Sequence, residues 1–516
     1  MCGIAVAINW DNAEEAVKRL TGAILHRGDI TDPVVTPRNK TAMATRRLRI
    51  VDPALGQQPG SSFDGMILVS FNGEIYNHKI LRAELEGLGI TFRTGSDTEV
   101  LANALRAWGG AALSRLSGMF AFVALDLRNG EFLAARDPFG VKPLYVIQSG
   151  DGFLFCSEIK PLLEAAAHGD VLLVPPGHFL TAQGCGRFQT LQPARQETSP
   201  QILDRLLDEA VTSRLPDELP VASLFSGGID STLMVHYARR HRPDMPVYFA
   251  GTADAPDAIF AAAYAQMAGL DMRQVDCVTG PETLGLLEAV VAGVESFEPV
   301  TIRPALYAWQ ACARMHRDGF RVALSGEGAD ELFAGYSHLE RAFSHSEEAG
   351  QGVRQQCLDL MHRANLQRLD RCGMRFEVEI REPFLDGKLA AHAMGLRGHQ
   401  LLKSVKGALR GKEPLRALYD LYPGQLPAMI RDRRKIGFDE GAGLKDDGGW
   451  REMFEGAISD AELAEGKRQF ADYEIAGKED FFFLRALSRI MDISRVPHLK
   501  NRLRILMPAV EKQAVA

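Results

Sequence analysis

The second residue is a cysteine, in Met1-Cys2-Gly3-Ile4. A small residue at that position favours removal of Met1, which would leave the Cys2 thiol beside its own α-amine. An α-amine with a pKa near ~8 is a built-in base for that thiol. Such a residue can attack an amide carbonyl, form a thioester and release ammonia. Taken alone, a cysteine opening an apolar run is better read as a buried core residue. Other residue types nearby suit the same chemistry. Arg47 could hold a carboxylate and Asp97 an ammonium group, as an amino-acid substrate requires. Asn72 and Gly73 offer an amide N–H and a backbone N–H, the neutral donors that a tetrahedral oxyanion needs.

A second chemistry is written in Val221-Ala-Ser-Leu-Phe-Ser-Gly-Gly-Ile-Asp-Ser-Thr232. An apolar strand runs into Ser226-Gly227-Gly228, then Asp230-Ser231-Thr232, then a helix-like run. Glycines let backbone N–H groups approach a polyphosphate without a Cβ clash. The following helix N-terminus adds partial positive charge. Asp230 cannot bind phosphate directly and suits a bridging Mg²⁺. No lysine follows the glycines, so this is not the GxxxxGK[ST] loop. The plain alternative is a serine-capped strand-to-helix turn. A second strand, Arg321–Leu324, ends in Ser325-Gly326-Glu327-Gly328-Ala329-Asp330-Glu331. Three carboxylates in five residues are costly to gather unless a cation or a proton transfer uses them.

The elements that must position these residues fall into two textures. Up to about residue 190, short β-type runs recur at Gly3–Ile8, Met66–Phe71, Met119–Leu125, Phe132–Ala135, Leu144–Ile147 and Phe153–Cys156. Turn residues separate them, and two helices are predicted at Lys79–Leu88 and Thr98–Trp108. This reads as an α+β domain over residues 1–191. A polar, proline-containing stretch over 192–200 reads as a linker. From 201 to 516, helical spacing alternates with short apolar strands at Val221–Phe225, Val247–Phe249 and Arg321–Leu324. That alternation predicts an α/β domain with a parallel sheet. Beyond about residue 335 the pattern is mainly helical, and the polar segment Ser344–Gln356 reads as mobile.

Composition narrows the class. The 516 residues carry 59 basic and 66 acidic side chains, a net charge of −7, which provides no field for nucleic acid or an anionic membrane. No apolar run approaches the ~18 residues that span a bilayer, and no secretory signal opens the chain. Seven dispersed cysteines without metal-like spacing suit a reducing, cytoplasmic setting.

The motifs together resemble a known family. Cys2-Gly-Ile, His26-Arg-Gly, Asn72-Gly-Glu-Ile-Tyr-Asn, Gly95-Ser-Asp, Arg136-Asp-Pro-Phe-Gly-Val-Lys-Pro-Leu-Tyr145 and Ser157-Glu158 are similar to class II glutamine amidotransferases. The loop Ser226–Ser231 resembles the signature of ATP pyrophosphatases. With Thr301-Ile-Arg303, Ser325–Glu331, Arg381-Glu-Pro-Phe-Leu-Asp386 and Arg434-Lys435, it resembles the synthetase half of the glutamine-hydrolysing asparagine synthetase B family. The motif order holds over about residues 1–440. The resemblance implies an N-terminal-nucleophile hydrolase fold, an αββα sandwich, joined to an ATP-pyrophosphatase domain. It implies Cys2 as nucleophile, Arg47, Glu74 and Asp97 as glutamine ligands, and Asn72 and Gly73 as the oxyanion hole. Ser226, Gly227, Gly228 and Ser231 would cradle pyrophosphate, Ser325 and Gly326 would contact AMP, and Asp230 and Asp330 would hold Mg²⁺. Lys435 would neutralise charge on the α-phosphate, and Glu327 would take a proton from attacking ammonia. Thr301 and Arg303 would face the carboxylate acceptor, with aspartate favoured. A homodimer is a further family expectation.

Two departures stand out. Gly28-Asp29-Ile30 replaces the family's Gly-Pro-Asp, and Val300 stands where a second threonine is usual. Losing one buried hydrogen-bond partner costs on the order of 1–3 kcal/mol, so Val300 opens the alternative of a different carboxylic acid as acceptor. A β-lactam-forming relative typically loses the N-terminal cysteine and carries tyrosine in place of Glu327, and this chain keeps both. A non-catalytic relative predicts decay at Cys2, Asp97, Asp230, Asp330 and Lys435, and none is visible.

Overall fold

The alternating apolar runs of the first 190 residues close into two antiparallel sheets stacked face to face. In the computed structural model the described residues are 2–189, 191–194, 199–252, 254–278, 282–434, 437 and 449–507. The first sheet runs in the order Leu172–Leu173, Tyr145–Ser149, Gly152–Cys156, Cys2–Ile8, Thr41–Arg47 and Ile30–Thr31, with Val35–Arg38 also on Thr41–Arg47. The second runs Gly184–Arg187, His178–Thr181, Phe132–Arg136, Gly118–Asp126, Ile67–Ile75 and Gly60–Ser61. Strand periodicity of two sorts the side chains. Ile4, Val6 and Ile8 enter the layer between the sheets with Val123, Leu125 and Phe155. Ala5 and Ala7 face the helix Ala13–Ala23 through Val17 and Leu20. Helices His78–Gly87 and Asp97–Trp108 cover the outer face of the second sheet through Leu81, Leu85, Leu101 and Leu105. The layers are therefore helix, sheet, sheet, helix, as the sandwich expectation requires.

The C-terminal part is built on a five-stranded parallel sheet in the order Met272–Asp276, Val247–Gly251, Val221–Leu224, Val322–Leu324 and Glu379–Arg381. Helices cover both faces. Leu306 and Tyr307 pack with Ala222 and Ala250 on one side, and Leu233 and Met234 with Val221 and Phe249 on the other. The strand order reverses between Val221–Leu224 and Val322–Leu324. Doubly wound sheets bind ligands at such a switch point, beyond the carboxyl ends of the strands.

The sequence pattern missed the strands Met272–Asp276 and Glu379–Arg381, which lie at the two edges of this sheet. It also assigned mobility to Ser344–Gln356, where the structure has the helix Glu347–Leu360. Ser346 caps that helix by accepting the Ala349 N–H at 3.0 Å. Arg354 anchors it from within, donating to the carbonyls of Ala393 and Met394 at 3.2 and 2.7 Å. At the expected linker, Ser199 caps the helix Pro200–Thr212 by accepting the Ile202 N–H. Among the described residues no helix is long and apolar enough to cross a membrane.

Phe155 sits in the layer between the sheets, its ring 5.5 Å from that of Phe132 and 6.1 Å from that of Phe153. Phe155→Ala should destabilise the N-terminal part by about 3–5 kcal/mol. Urea unfolding followed by tryptophan and tyrosine emission would test this. A loss under about 1 kcal/mol would contradict a close-packed layer there.

Candidate active sites

Two constellations form, one in each part of the chain. The first is assembled where Cys2–Ile8 and Ile67–Ile75 approach across the sandwich. Pairing of Cys2–Ile8 with Thr41–Arg47 sets Arg47 directly opposite Cys2. The Cys2 backbone N–H donates to Asn72 Oδ1 at 2.9 Å. That fixes the Asn72 amide and leaves its Nδ2, buried and without a hydrogen-bond partner among the described residues, as an available donor. Gly73 follows at φ +151°, and a Cβ there would overlap the carbonyl oxygen of Met119 on the paired strand. Burial pushes the Cys2 thiol up to about 11, so the resting group is neutral. Gln58 Nε2 lies 3.7 Å from Cys2 Sγ, and Gln58 Oε1 accepts the Phe71 N–H at 2.8 Å.

Arg47 is held by Asp32, through Nε at 2.8 Å and Nη2 at 3.2 Å, while its Nη1 is buried with no hydrogen-bond partner among the described residues. A fixed guanidinium with one unused edge is prepared to receive a carboxylate. Asp97 opens the helix Asp97–Trp108 and accepts the Ile75 N–H at 3.0 Å. Burial raises Asp97, and burial pushes Glu74 up to about 8 against the opposing pull of Arg381. Two buried carboxyl groups in this condition gain from the arrival of a cation. Glu74 meets Arg381 of the parallel sheet at 3.1 Å, so the first constellation reaches into the second part of the chain.

The second constellation lies at the switch point of the parallel sheet. Gly227 has φ +68°, and a Cβ there would strike the backbone of Ala261. Ser226 and Ser231 face each other across the turn with their hydroxyls 3.2 Å apart, and Gly228 N–H donates to Ser226 Oγ at 3.3 Å. The helix Ile229–His241 starts immediately after. Gly326 of the second loop lies against Asp230 and Ser231, where a Cβ would sit 3.2 Å from both. Ser325 N–H donates to the Arg381 carbonyl at 2.9 Å, which ties this loop to the sheet-edge strand. A cavity of about 250 Å³ opens between the loops. It is lined by Ser226, Asp230, Ser325, Gly326 and Glu327 on the polar side and by Val300 and Pro304 on the apolar side.

Several sequence-predicted residues have other partners. Asp230 and Asp330, the pair expected to hold Mg²⁺, converge on the buried ammonium of Lys412, each at 2.5 Å. Thr301 is fully buried and Arg303 is clamped by Glu479, through Nε at 2.8 Å and Nη2 at 2.6 Å. Neither lines the cavity, whereas Val300 does. Glu327 is ion-paired to Arg368, and Asn365 Nδ2 donates to it at 2.7 Å. Lys435 lies outside the described residues, as does Met1. Arg433, described just before it, donates to the Gly227 carbonyl at 3.2 Å and pairs with Asp257. Residues that sequence reasoning gave no role include Asp32, Gln58, Asn365, Arg368, Lys412 and Arg433. Arg381 stood within a quoted motif, and that was its only signal.

Comparison with known proteins agrees with this two-part geometry. Residues 1–173 match the family described as "Glutamine amidotransferase domain", and residues 203–354 and 338–479 match the family "Asparagine synthase". The chain is 30% identical to Asparagine synthetase (glutamine-hydrolyzing) 2 of Arabidopsis thaliana, over 94% of this chain and 86% of that protein. It is 30% identical to an Asparagine synthetase (glutamine-hydrolyzing) of Zea mays, over 87% of this chain and 78% of that one. A Sandersonia aurantiaca protein of the same name is also 30% identical, over 86% and 87%.

Gly73→Ala should cost about 1–3 kcal/mol of stability, because the new Cβ has to displace the paired strand. The same displacement would pull the Asn72 amide away from Cys2. Thermal unfolding checks the first effect, and loss of selective Cys2 alkylation by an amino-acid-like electrophile checks the second.

Proposed function

This chain belongs to the glutamine-hydrolysing asparagine synthetase family, and we propose that it hydrolyses glutamine at Cys2 and passes the ammonia to an acyl-adenylate built from ATP and a carboxylic acid. Glutamine-hydrolysing amide synthesis is the activity of that family. We take residues 1–191 as the glutaminase domain, 192–200 as the linker and 201–516 as the synthetase domain. The single observation that carries the reading is the meeting of two glycine-bearing loops at the switch point of a parallel sheet, in a chain whose first strand begins at Cys2.

In the glutaminase step, the unused Nη1 of Arg47 takes the α-carboxylate, and Glu74 and Asp97 take the α-ammonium. With Met1 removed, the Cys2 nitrogen is an amine held by Asn72 Oδ1, and it accepts the thiol proton. The thiolate attacks the amide carbonyl, and Asn72 Nδ2 with the Gly73 N–H steadies the oxyanion. The Cys2 ammonium returns its proton to the departing nitrogen, ammonia leaves, and water then opens the thioester.

In the synthetase step, the backbone of Ser226, Gly227 and Gly228 with the Ser231 hydroxyl holds the polyphosphate at the start of the helix Ile229–His241. Ser325 and Gly326 meet the AMP portion. The acceptor carboxylate attacks the α-phosphate and pyrophosphate leaves. Ammonia then displaces AMP from the acyl carbon, and Glu327, oriented by Arg368 and Asn365, takes the proton. Lys435 is the residue proposed to offset charge on the α-phosphate. Two carboxylates that converge on one cation, Asp230 and Asp330 on Lys412, fit the one or two protein ligands that Mg²⁺ takes beside phosphates. When bound, Mg²⁺ would offset polyphosphate charge. A protected route for ammonia between the two sites would keep it unprotonated, and cytoplasmic residence suits such an enzyme.

Aspartate is the first acceptor to test. A second reading, another carboxylic acid, is favoured by the clamp of Glu479 on Arg303 and by Val300 at the cavity wall. The purified protein would be incubated with glutamine, ATP and Mg²⁺, with and without aspartate, and pyrophosphate and amide product measured. Aspartate-dependent pyrophosphate with asparagine formed supports the first reading. Glutamine hydrolysis without aspartate-dependent pyrophosphate supports the second, and no hydrolysis at all sinks both.

The raised carboxyl groups of Glu74 and Asp97 give a pH signature. Their ionised forms bind the α-ammonium, so the glutamine KM should climb as pH falls through about 8. Steady-state glutaminase assays between pH 6.5 and 9 check this, and a KM flat across that range would contradict it. Glu74→Gln should raise KM by about tenfold or more, the loss of one charge-assisted contact.

A further inference from the structure

Arg27 is fully buried and joins the two parts of the molecule. Its Nε donates to the carbonyl oxygen of Cys2 at 3.2 Å. Its two terminal nitrogens grip Asp370 in a fork, Nη1 to Oδ2 at 3.0 Å and Nη2 to Oδ1 at 3.1 Å. Nη1 also reaches Glu158 at 3.0 Å. Glu158 is shared with His26 at 2.9 Å and with Arg371 at 3.0 Å. Glu158 belongs to the N-terminal part, whereas Asp370 lies on the helix Asn365–Met374 of the C-terminal part. The only two-point grip on Arg27 among the described residues therefore comes from across the interface.

A planar guanidinium held at two points has a fixed direction for its third edge, and here that edge meets the Cys2 peptide. Glu158 contacts one nitrogen of Arg27 and is shared with Arg371 and the His26 ring, so it does not set that direction by itself. The same helix carries Asn365 and Arg368, which stand before Asp370 in the sequence, to Glu327.

We propose that Asp370 is a positioning residue for glutamine hydrolysis, supplied by the synthetase part and acting through Arg27 on the backbone of Cys2. This rests on the reading of Cys2 as the nucleophile. A displacement of about 1 Å at an attacking atom can cost on the order of 10²-fold. Substrate contacts made by Arg47, Glu74 and Asp97 do not pass through Arg27, so the cost falls on kcat.

The test uses the full chain and four variants: Asp370→Asn, Asp370→Glu, Glu295→Gln and Cys2→Ala. Glu295 pairs with Arg371 at 2.7 Å in the same interface without touching Arg27. Asp370→Asn should lower kcat for glutamine hydrolysis about 10- to 100-fold, with the glutamine KM within about threefold and ammonia-driven pyrophosphate release retained. Asp370→Glu, which keeps the charge, should restore part of kcat, and it carries the test if the asparagine variant does not fold. Unchanged kcat in both Asp370 variants overturns the proposal. An equal fall in Glu295→Gln also overturns it, by reducing the pair to general interface packing. Hydrolysis surviving in Cys2→Ala would overturn the nucleophile assignment, and with it the proposal. Loss in Cys2→Ala with unchanged kcat in the Asp370 variants would overturn the proposal alone.

Discussion

A cluster of buried charges between the two halves of the molecule sets what the rest of the structure can be. His26, Arg27 and Glu158 come from the sandwich side, and Glu295, Asp370 and Arg371 from the side of the parallel sheet. Burial alone would raise Glu158, but His26, Arg371 and Arg27 hold its carboxyl well below the usual range. Glu295 pairs with Arg371 and also accepts the N–H groups of Ile159 and Lys160, at the start of the helix Ile159–Ala165. Charges this deep contribute little net stability against an apolar replacement of the same shape, but removing one partner is expensive. Their effect is specificity: the halves fit in one relative placement, because any other leaves an ion without its partner.

That placement brings two unlike sites under the same physical rule. In each, a glycine permits a backbone approach that a Cβ would forbid, Gly73 against Met119 and Gly227 against Ala261. In each, buried carboxyl groups wait close to where a ligand's charge would arrive, Glu74 and Asp97 in one, Asp230 and Asp330 in the other. The sites differ in how they stand when nothing is bound. Arg381 only partly offsets Glu74, whereas Lys412 lies directly between its two aspartates.

Much of this was legible in the sequence, because local physics is local in sequence. The period-two runs around Val6 and Val123 gave sheet strands. The passage from Val221–Leu224 through glycines into a helix gave the switch-point loop. Cys2, Arg47, Asn72, Gly73, Glu74 and Asp97 do lie together. What was not legible acts at a distance or against composition. Glu379–Arg381 is a three-residue edge strand, too short to show periodicity, and two of its three residues are charged. Arg368, Asp370 and Arg371 carry charge within a stretch whose sequence shows only that it is helical, yet they are buried by partners up to 343 residues away. The polar run after Ser344 folds because Arg354 satisfies carbonyls some 40 positions ahead. Thr301 and Arg303 had acceptor-binding residue types, but the fold buries one and pairs the other.

The span between Arg27 and Asp370 also bears on how the protein is made. Translation delivers the sandwich strands first, and they can pair among themselves at once. Arg27 is then complete in sequence but lacks the carboxylate that grips it, until more than three hundred further residues have been synthesised. During that interval Glu158 is, among the described residues, the one carboxylate of its own half beside it, and it meets a single nitrogen. Docking of the helix Asn365–Met374 supplies the second carboxylate and completes the pairing of the ion.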